Sequence, residues 1–224
     1  ERRYGREFAD IFAETLVTGI YAGSAKELSM KLCFENIWKN QNFLFLKMLF
    51  HSMKLATFQR GLSSLIQKLT CHFDIEYGTK VLSMHEGEDQ VFIETNRGLV
   101  VGNKVISTLQ TSEIPYASVV TAAVGFKEEG LFPKGFGLLA SEKNHPELLG
   151  VVFDSEIFPE NKSSMKSIAT LMFGGQRSPD FCAFSDHEIT VKVHKVLTYL
   201  FSINQMPDEL FIHRAEHAIP QFPV

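Results

Sequence analysis

The sequence has little of what defines several common protein classes. Its 224 residues include only three cysteines and carry a net charge of −4. Cys33, Cys71 and Cys182 are far apart and form no C-x-x-C spacing, which predicts reduced, structural thiols in an intracellular protein. The small negative charge offers no electrostatic footprint for a nucleic acid, so no nucleic-acid partner is expected.

Signals for secretion or membrane insertion are also missing. The chain opens with the charged run E-R-R-Y-G-R, and no apolar segment follows it. The most hydrophobic run, Phe43 to Met53, is far shorter than the roughly 20 residues of a membrane-spanning helix. Three alternatives stay open for it: an amphipathic helix at a membrane interface, a buried helix, or a wall of an apolar pocket. We expect a cytoplasmic protein, with peripheral membrane contact as the open alternative.

Cofactor and catalytic motifs are scarce. No G-x-G-x-x-G follows a predicted strand, so the usual dinucleotide fingerprint is absent. His213 and His217 are four residues apart and could meet on a helix, but no further ligand has suitable spacing. We therefore expect no metal site. No Ser/His/Asp set has a nucleophile-elbow context, and we assign no catalytic residue.

Aromatic residues are abundant, and most of them are phenylalanines. Twenty phenylalanines stand against five tyrosines and one tryptophan, and 45% of the residues are hydrophobic. Such a composition suits a sizeable core or an apolar ligand pocket.

Periodicity predicts a mixed fold. Apolar residues at helical spacing predict helices over residues 6–22, 25–36, 62–69 and 186–201. Alternation and turn signals predict a strand meander over residues 74–108, whose end at Val105 to Thr108 is expected to be buried. Four further strands are predicted at 118–126, 136–140, 148–153 and 168–174. The fold class is therefore α+β or mixed α/β: a helical N-terminal part, the meander, and a mixed sheet with a covering helix.

The run Thr15 to Lys31, T-L-V-T-G-I-Y-A-G-S-A-K-E-L-S-M-K, contains a predicted helix junction. Gly23 is expected to end the first helix in the left-handed conformation. Ser24 and Glu27 have the spacing of a capping box, which predicts that a second helix starts at Ser24.

Four sequence motifs together show a resemblance that extends over nearly the whole chain. They are the Y-A-G-S-A-K-E-L-S-M run at residues 21–30, T-F-Q-R-G-L at 57–62, K-G-F-G at 134–137 and A-I-P-Q-F at 218–222. With them the chain resembles the protoporphyrinogen oxidase family of flavin-dependent oxidases. In that family the dinucleotide fingerprint precedes this region and a glycine-rich flavin segment follows it. We therefore expect an internal portion of a flavoenzyme that, in isolation, binds FAD poorly and is inactive.

The resemblance implies an interleaved domain plan. Residues 1–56 would form a helical part associated with substrate and membrane, and residues 57–110 would visit the flavin domain. Residues 111–212 would form the substrate domain, and residues 213–224 would return towards the flavin domain.

The same resemblance implies site residues. Gly135, Phe136 and Gly137 would lie against the tetrapyrrole, with Val124 on its opposite side. For FAD, Val81 would read the adenine edge, and the returning segments would contribute Ser107, Thr108 and Ile219. Arg60 and Arg177 could pair with substrate propionates or serve as exposed or capping arginines.

The implied reaction is the six-electron oxidation of a porphyrinogen in haem biosynthesis, with FAD as cofactor and O2 or another molecule as acceptor. Protoporphyrinogen IX and coproporphyrinogen III both remain open as substrates. A homodimer is a further expectation.

Two other classes of protein remain open as alternatives: a related flavin amine oxidase or desaturase, and a non-catalytic tetrapyrrole-binding protein. Ala215 supports the latter, because many members of the family have an aromatic residue there.

Overall fold

Helices and antiparallel strands share the chain in this computed structural model, which describes residues 5–35, 39, 56–58, 61–108, 113–160 and 164–223. The helices are α1 (Arg6–Phe8), α2 (Glu14–Tyr21), α3 (Met30–Cys33), α4 (Ser63–Thr70), α5 (Asp154–Ile157) and α6 (Asp186–Phe201). A π-helical segment, Ala9–Ala13, joins α1 to α2, and 3₁₀ segments cover Gly175–Arg177 and Pro179–Ala183. The strands are β1 (Val81–Glu86), β2 (Val91–Thr95), β3 (Gly98–Gly102), β4 (Tyr116–Phe126), β5 (Gly137–Leu139), β6 (Leu148–Val152), β7 (Ser167–Gly174) and β8 (Glu209–Pro220).

The chain divides into two compact units, residues 1–53 with 112–224, and residues 54–111. The larger unit contains a five-stranded sheet of order β5-β6-β7-β4-β8, and the smaller unit contains the three-stranded meander β1-β2-β3. The predicted fold class is confirmed. The expectation of a mixed sheet is wrong in one respect, because every neighbouring pair of strands is antiparallel.

One face of the five-stranded sheet is covered by α6. Alternate residues of β4, Val120, Ala122, Val124 and Phe126, point into a single buried cluster with Ile189, Val193 and Leu197 of the helix. The helix begins at the predicted residue, Asp186, after a capping box that the sequence analysis did not identify: Ser185 accepts a hydrogen bond from the Glu188 amide, and the Glu188 carboxylate accepts one from the Ser185 amide. The main core therefore lies on the α6 side of the sheet.

The predicted helix junction forms differently. Ala22, not Gly23, takes the left-handed conformation after α2, with φ of 53°. A turn follows at Ala25 to Glu27, and Leu28 forms a β-bridge with Pro223. The predicted capping box at Ser24 and Glu27 does not form, and residues 25–29 of the predicted helix over 25–36 are not helical, because pairing with the distant segment at Pro223 overrides local helix propensity. The part of the prediction that the structure describes as helical is α3 and Glu35.

The meander in residues 54–111 forms with the predicted turns, but it has almost no core of its own. Among the described residues of this unit, Thr95 alone is buried, at 8% exposed. The predicted buried strand end at Val105 to Thr108 is wrong: no strand forms there, and Ile106 is 84% exposed. A single meander offers these side chains no second layer to pack against.

Among the described residues, no helix is both long and apolar enough to cross a bilayer. The run Phe43 to Met53, for which lipid contact was one alternative, lies outside the described residues, as does Arg60.

Candidate functional site on the open face of the five-stranded sheet

Two of the motifs that carry the resemblance, at residues 21–30 and 218–222, are in contact in the structure. The Gln221 side chain, 2% exposed, donates from Nε2 to the Tyr21 carbonyl at 2.8 Å. The Ser29 amide donates to the Phe222 carbonyl, also at 2.8 Å. Gly23 leaves room for this contact, because a Cβ on Gly23 would overlap the Gln221 amide oxygen. We call this contact between residues 21–29 and 221–223 the terminal junction.

The face of the five-stranded sheet opposite α6 carries a row of small side chains. Cross-strand partners lie on the same face of a sheet. The register therefore aligns one residue from each strand, and we call these five residues the central row: Gly137 (β5), Val152 (β6), Thr170 (β7), Ala123 (β4) and Phe211 (β8). At the usual strand spacing the row spans about 19 Å.

The central row gives this open face a floor of mostly short side chains with an aromatic residue at one edge. Phe211 on β8 is 70% exposed, and the intervening residues have short side chains. A second row runs beside it: Leu139, Gly150, Met172, Thr121 and His213. Helix α2 contacts β5 and β6, with Gly19 against the side chain of Leu139, and so forms a wall beside the floor. A flat apolar ligand fits such a surface.

The structure separates the four predicted substrate residues. Gly135, Phe136 and Gly137 stand at the β5 end of the central row, and Phe136 is 59% exposed. Val124 lies on the covered face and is 1% exposed. Its neighbour Ala123 is the β4 residue on the open face. The substrate role stays a prediction for all four, and Val124 is the one with no surface to offer a ligand.

The predicted FAD residues fall in both units. In residues 54–111, Val81 begins the edge strand β1 and is 42% exposed, while Ser107 and Thr108 are exposed beyond β3. In the larger unit, Ile219 on β8 is half-buried and packs against the cluster of Ala117, Val119 and Leu149. Their cofactor role stays a prediction.

Asp154 is a site residue that the sequence did not suggest. It is the first residue of α5, two positions after the end of β6, and its Oδ2 accepts a hydrogen bond from the Thr170 hydroxyl at 2.8 Å. Burial raises the pKa of the Asp154 carboxyl above its usual value, an effect that the hydrogen bonds from Thr170 and from its own backbone amide only partly offset. The signal in the sequence was an acid immediately after a buried strand.

The raised pKa predicts how stability depends on pH. A carboxyl whose pKa is higher in the folded state contributes stability below its unfolded pKa, near 3.9, and that contribution is lost as pH rises through the folded value. We expect Asp154→Asn, which cannot ionise, to gain stability relative to the original protein as pH rises from 4 to 7. Urea unfolding at several pH values measures this difference, and a difference that shrinks over the range would contradict it.

Three further residues named from the sequence, His213, His217 and Arg177, lie on or beside the five-stranded sheet, and the substrate role of Arg177 stays a prediction. His213 lies on strand β8 with its neighbours paired to β4, and His217 lies in a bulge of the same strand, where its amide donates to the Ser118 hydroxyl. They do not share a helix, so that expectation is wrong. Within the described ranges no three His, Cys, Asp or Glu side chains cluster for a metal. Arg177 donates to the Ala140 carbonyl at 2.8 Å, which ties a 3₁₀ segment to the end of β5.

Comparison with solved structures defines the class of fold. A provisionally named protoporphyrinogen oxidase from Exiguobacterium sp. superposes with a TM-score of 0.80 at 17% identity, covering 99% of this chain and 54% of that one. Reduced UDP-galactopyranose mutase superposes with a TM-score of 0.65 at 15% identity, covering 100% of this chain and 56% of that one. The chain therefore shares the fold of the matched parts of these two proteins.

Comparison of the sequence with curated proteins shows which proteins the chain resembles in sequence. The chain is 23% identical to protoporphyrinogen oxidase of Bos taurus, over 99% of this chain and 57% of that protein. It is also 23% identical to coproporphyrinogen III oxidase of Bacillus subtilis, over 100% of this chain and 56% of that protein. These matches confirm the resemblance to protoporphyrinogen oxidases. The chain spans little more than half the length of these relatives, and no protein-family model matches it.

Proposed function

We propose that this chain is part of an FAD-dependent porphyrinogen oxidase and that its open face holds the tetrapyrrole. The observation that carries the proposal is the central row, a floor of mostly small residues with Phe211 at one edge and the exposed Phe136 beside the other. Relatives that are protoporphyrinogen and coproporphyrinogen oxidases over the whole chain support it.

The chemistry of a porphyrinogen suits this surface. A tetrapyrrole offers two broad apolar faces and a rim of charged carboxylate groups. Its faces can lie over short side chains and against the ring of an aromatic residue, which prefers stacked or edge contacts. The larger unit contributes this binding surface and its orientation.

The residues present also fit a flavin nucleotide. β1 is an edge strand, so one side of its backbone has no neighbouring strand among the described residues, and Val81 begins it. Backbone N–H and C=O groups on such an edge match the donor and acceptor of an adenine. When bound, FAD would accept the hydride in each of three two-electron oxidations. The chain's own residues would orient the macrocycle and exclude water.

Porphyrin binding by the larger unit tests the proposal. Coproporphyrin III and protoporphyrin IX are titrated into the 224-residue protein and followed by the Soret absorbance. We expect saturable binding of at least one of them. We also expect Phe211→Ala to weaken it about tenfold, since an aromatic contact contributes on the order of 1.5 kcal/mol.

The matched control is Tyr199→Ala. Tyr199 is 75% exposed, but it lies on α6, which covers the opposite face of the sheet. Its loss should leave porphyrin affinity unchanged within about twofold. A protein that binds neither porphyrin, or one for which the two variants lose affinity equally, contradicts the proposed site.

A further inference from the structure

A half-buried acid is fixed at the β6 end of the open face. Asp154 follows Phe153, whose amide donates to the Phe136 carbonyl at 3.0 Å. Asp154 is therefore the next residue after one that makes a backbone contact with the G-F-G motif. Its sequence neighbour Ser155 bonds both backbone groups of Ile168, accepting from the amide at 3.1 Å and donating to the carbonyl at 3.4 Å. These contacts hold α5 against β7.

The Asp154 carboxylate is directed to the centre of the central row. Its Oδ2 accepts from the hydroxyl of Thr170, the β7 member of that row, at 2.8 Å. Thr170 has Val152 on one side and Ala123 on the other, both with short apolar side chains. A macrocycle lying on the row would therefore lie beside this carboxylate.

Stability alone does not account for an acid in this position. Burial penalises the ionised form of Asp154, and no cation forms an ion pair with it in the part of the chain that the structure describes. An ionised carboxyl has about four acceptor sites. The Thr170 hydroxyl and the residue's own amide occupy two of them, which leaves capacity for further donors.

We propose that Asp154 recognises the pyrrole N–H groups of a porphyrinogen lying on the central row, an inference that rests on the proposed function. A porphyrinogen has four pyrrole N–H donors and saturated carbons between its rings. The rings can therefore tilt and turn several N–H groups towards one face, where a carboxylate accepts them in charge-assisted hydrogen bonds. A porphyrin is flat and keeps its two inner N–H groups in the ring plane. Asp154 thus distinguishes the reduced macrocycle from its oxidised product.

Calorimetric titration under anaerobic conditions separates these two forms. Coproporphyrinogen III and coproporphyrin III are each titrated into the original protein, Asp154→Asn and a control, Asp180→Asn. Asp180 is an exposed acid of the 3₁₀ segment Pro179–Ala183, which packs on the covered side of the sheet, so its change removes the same charge away from the site.

We expect Asp154→Asn to weaken porphyrinogen binding about 10- to 100-fold, the range for hydrogen bonds to a charged group. Its affinity for the porphyrin should stay within about twofold, which also shows that the variant is folded. Asp180→Asn should change neither affinity. An equal loss for both ligands in Asp154→Asn assigns the residue a purely structural role and overturns the inference.

The failure of the inference and the failure of the proposed function give different results. If the original protein binds neither macrocycle, the proposed function fails. If it binds both and Asp154→Asn leaves the ratio of the two affinities unchanged, only the role of Asp154 is overturned.

Discussion

Phe181→Ala is expected to lower the free energy of unfolding of the larger unit by roughly 3–5 kcal/mol, the range for truncating a buried phenylalanine. Phe181 is 0% exposed and lies between other aromatic rings. It stacks on Phe173 with centroids 4.9 Å apart and meets Phe184 edge-on at 5.3 Å. The Lys192 ammonium lies 5.7 Å from its centroid, so truncation removes contacts on several sides at once. Urea unfolding followed by circular dichroism measures the loss.

The control for Phe181 is the same substitution on the other face. Phe211 is 70% exposed, so Phe211→Ala should change the free energy of unfolding by no more than about 0.5 kcal/mol. Together the two variants test which face of the sheet is covered. Similar losses of stability in both would show that the open face is packed against something and would contradict the proposed binding surface.

Gly137→Ala is expected to lower the free energy of unfolding by about 2–5 kcal/mol, combining backbone strain with overpacking. Its φ of +157° is unusual for other residues, and a Cβ there would overlap the Val151 carbonyl oxygen on β6. The backbone of the neighbouring strand thus requires this glycine, whatever the ligand requires. Urea unfolding measures the loss.

Gly135→Ala is the matched control, since Gly135 also has a positive φ, +145°, but open space around its Cβ position. It should cost only the conformational part, roughly 1–3 kcal/mol. Equal destabilisation by the two substitutions would show that crowding against β6 is unimportant.

Local patterns predicted the elements whose stability is local. Helix α6 forms over the predicted residues because an apolar stripe and a capping box at Ser185 and Glu188 both lie within its own sequence. The meander follows from its turn residues in the same way. Strand β8 was missed, because it forms by pairing with β4, about 90 residues earlier in the chain, and has exposed residues along much of its length. Leu210, Phe211 and Ile212 form only a short apolar run, which is a weak strand signal.

The candidate site shows the same division. Alternation along β4 predicts that Val124 and Ala123 lie on opposite faces of the sheet, but it does not predict which face a helix covers. Helix α6 covers the face of Val124, so Val124 lies in the core. The resemblance identified the G-F-G word, whose Gly137 lies on the open face. Asp154 and Thr170 could not be paired from sequence, since 16 residues separate them and their contact depends on how β6 and β7 align.

The terminal junction has a consequence for how this protein is made. Gln221 and Tyr21 are 200 positions apart, yet their hydrogen bond is part of the larger unit's interior. A ribosome adds residues in order, so this bond cannot secure helix α2 until β8 and Gln221 have left the exit tunnel. The cost of closing so long a loop falls late. During synthesis helix α2 therefore lacks this contact for as long as it takes to translate the intervening sheet.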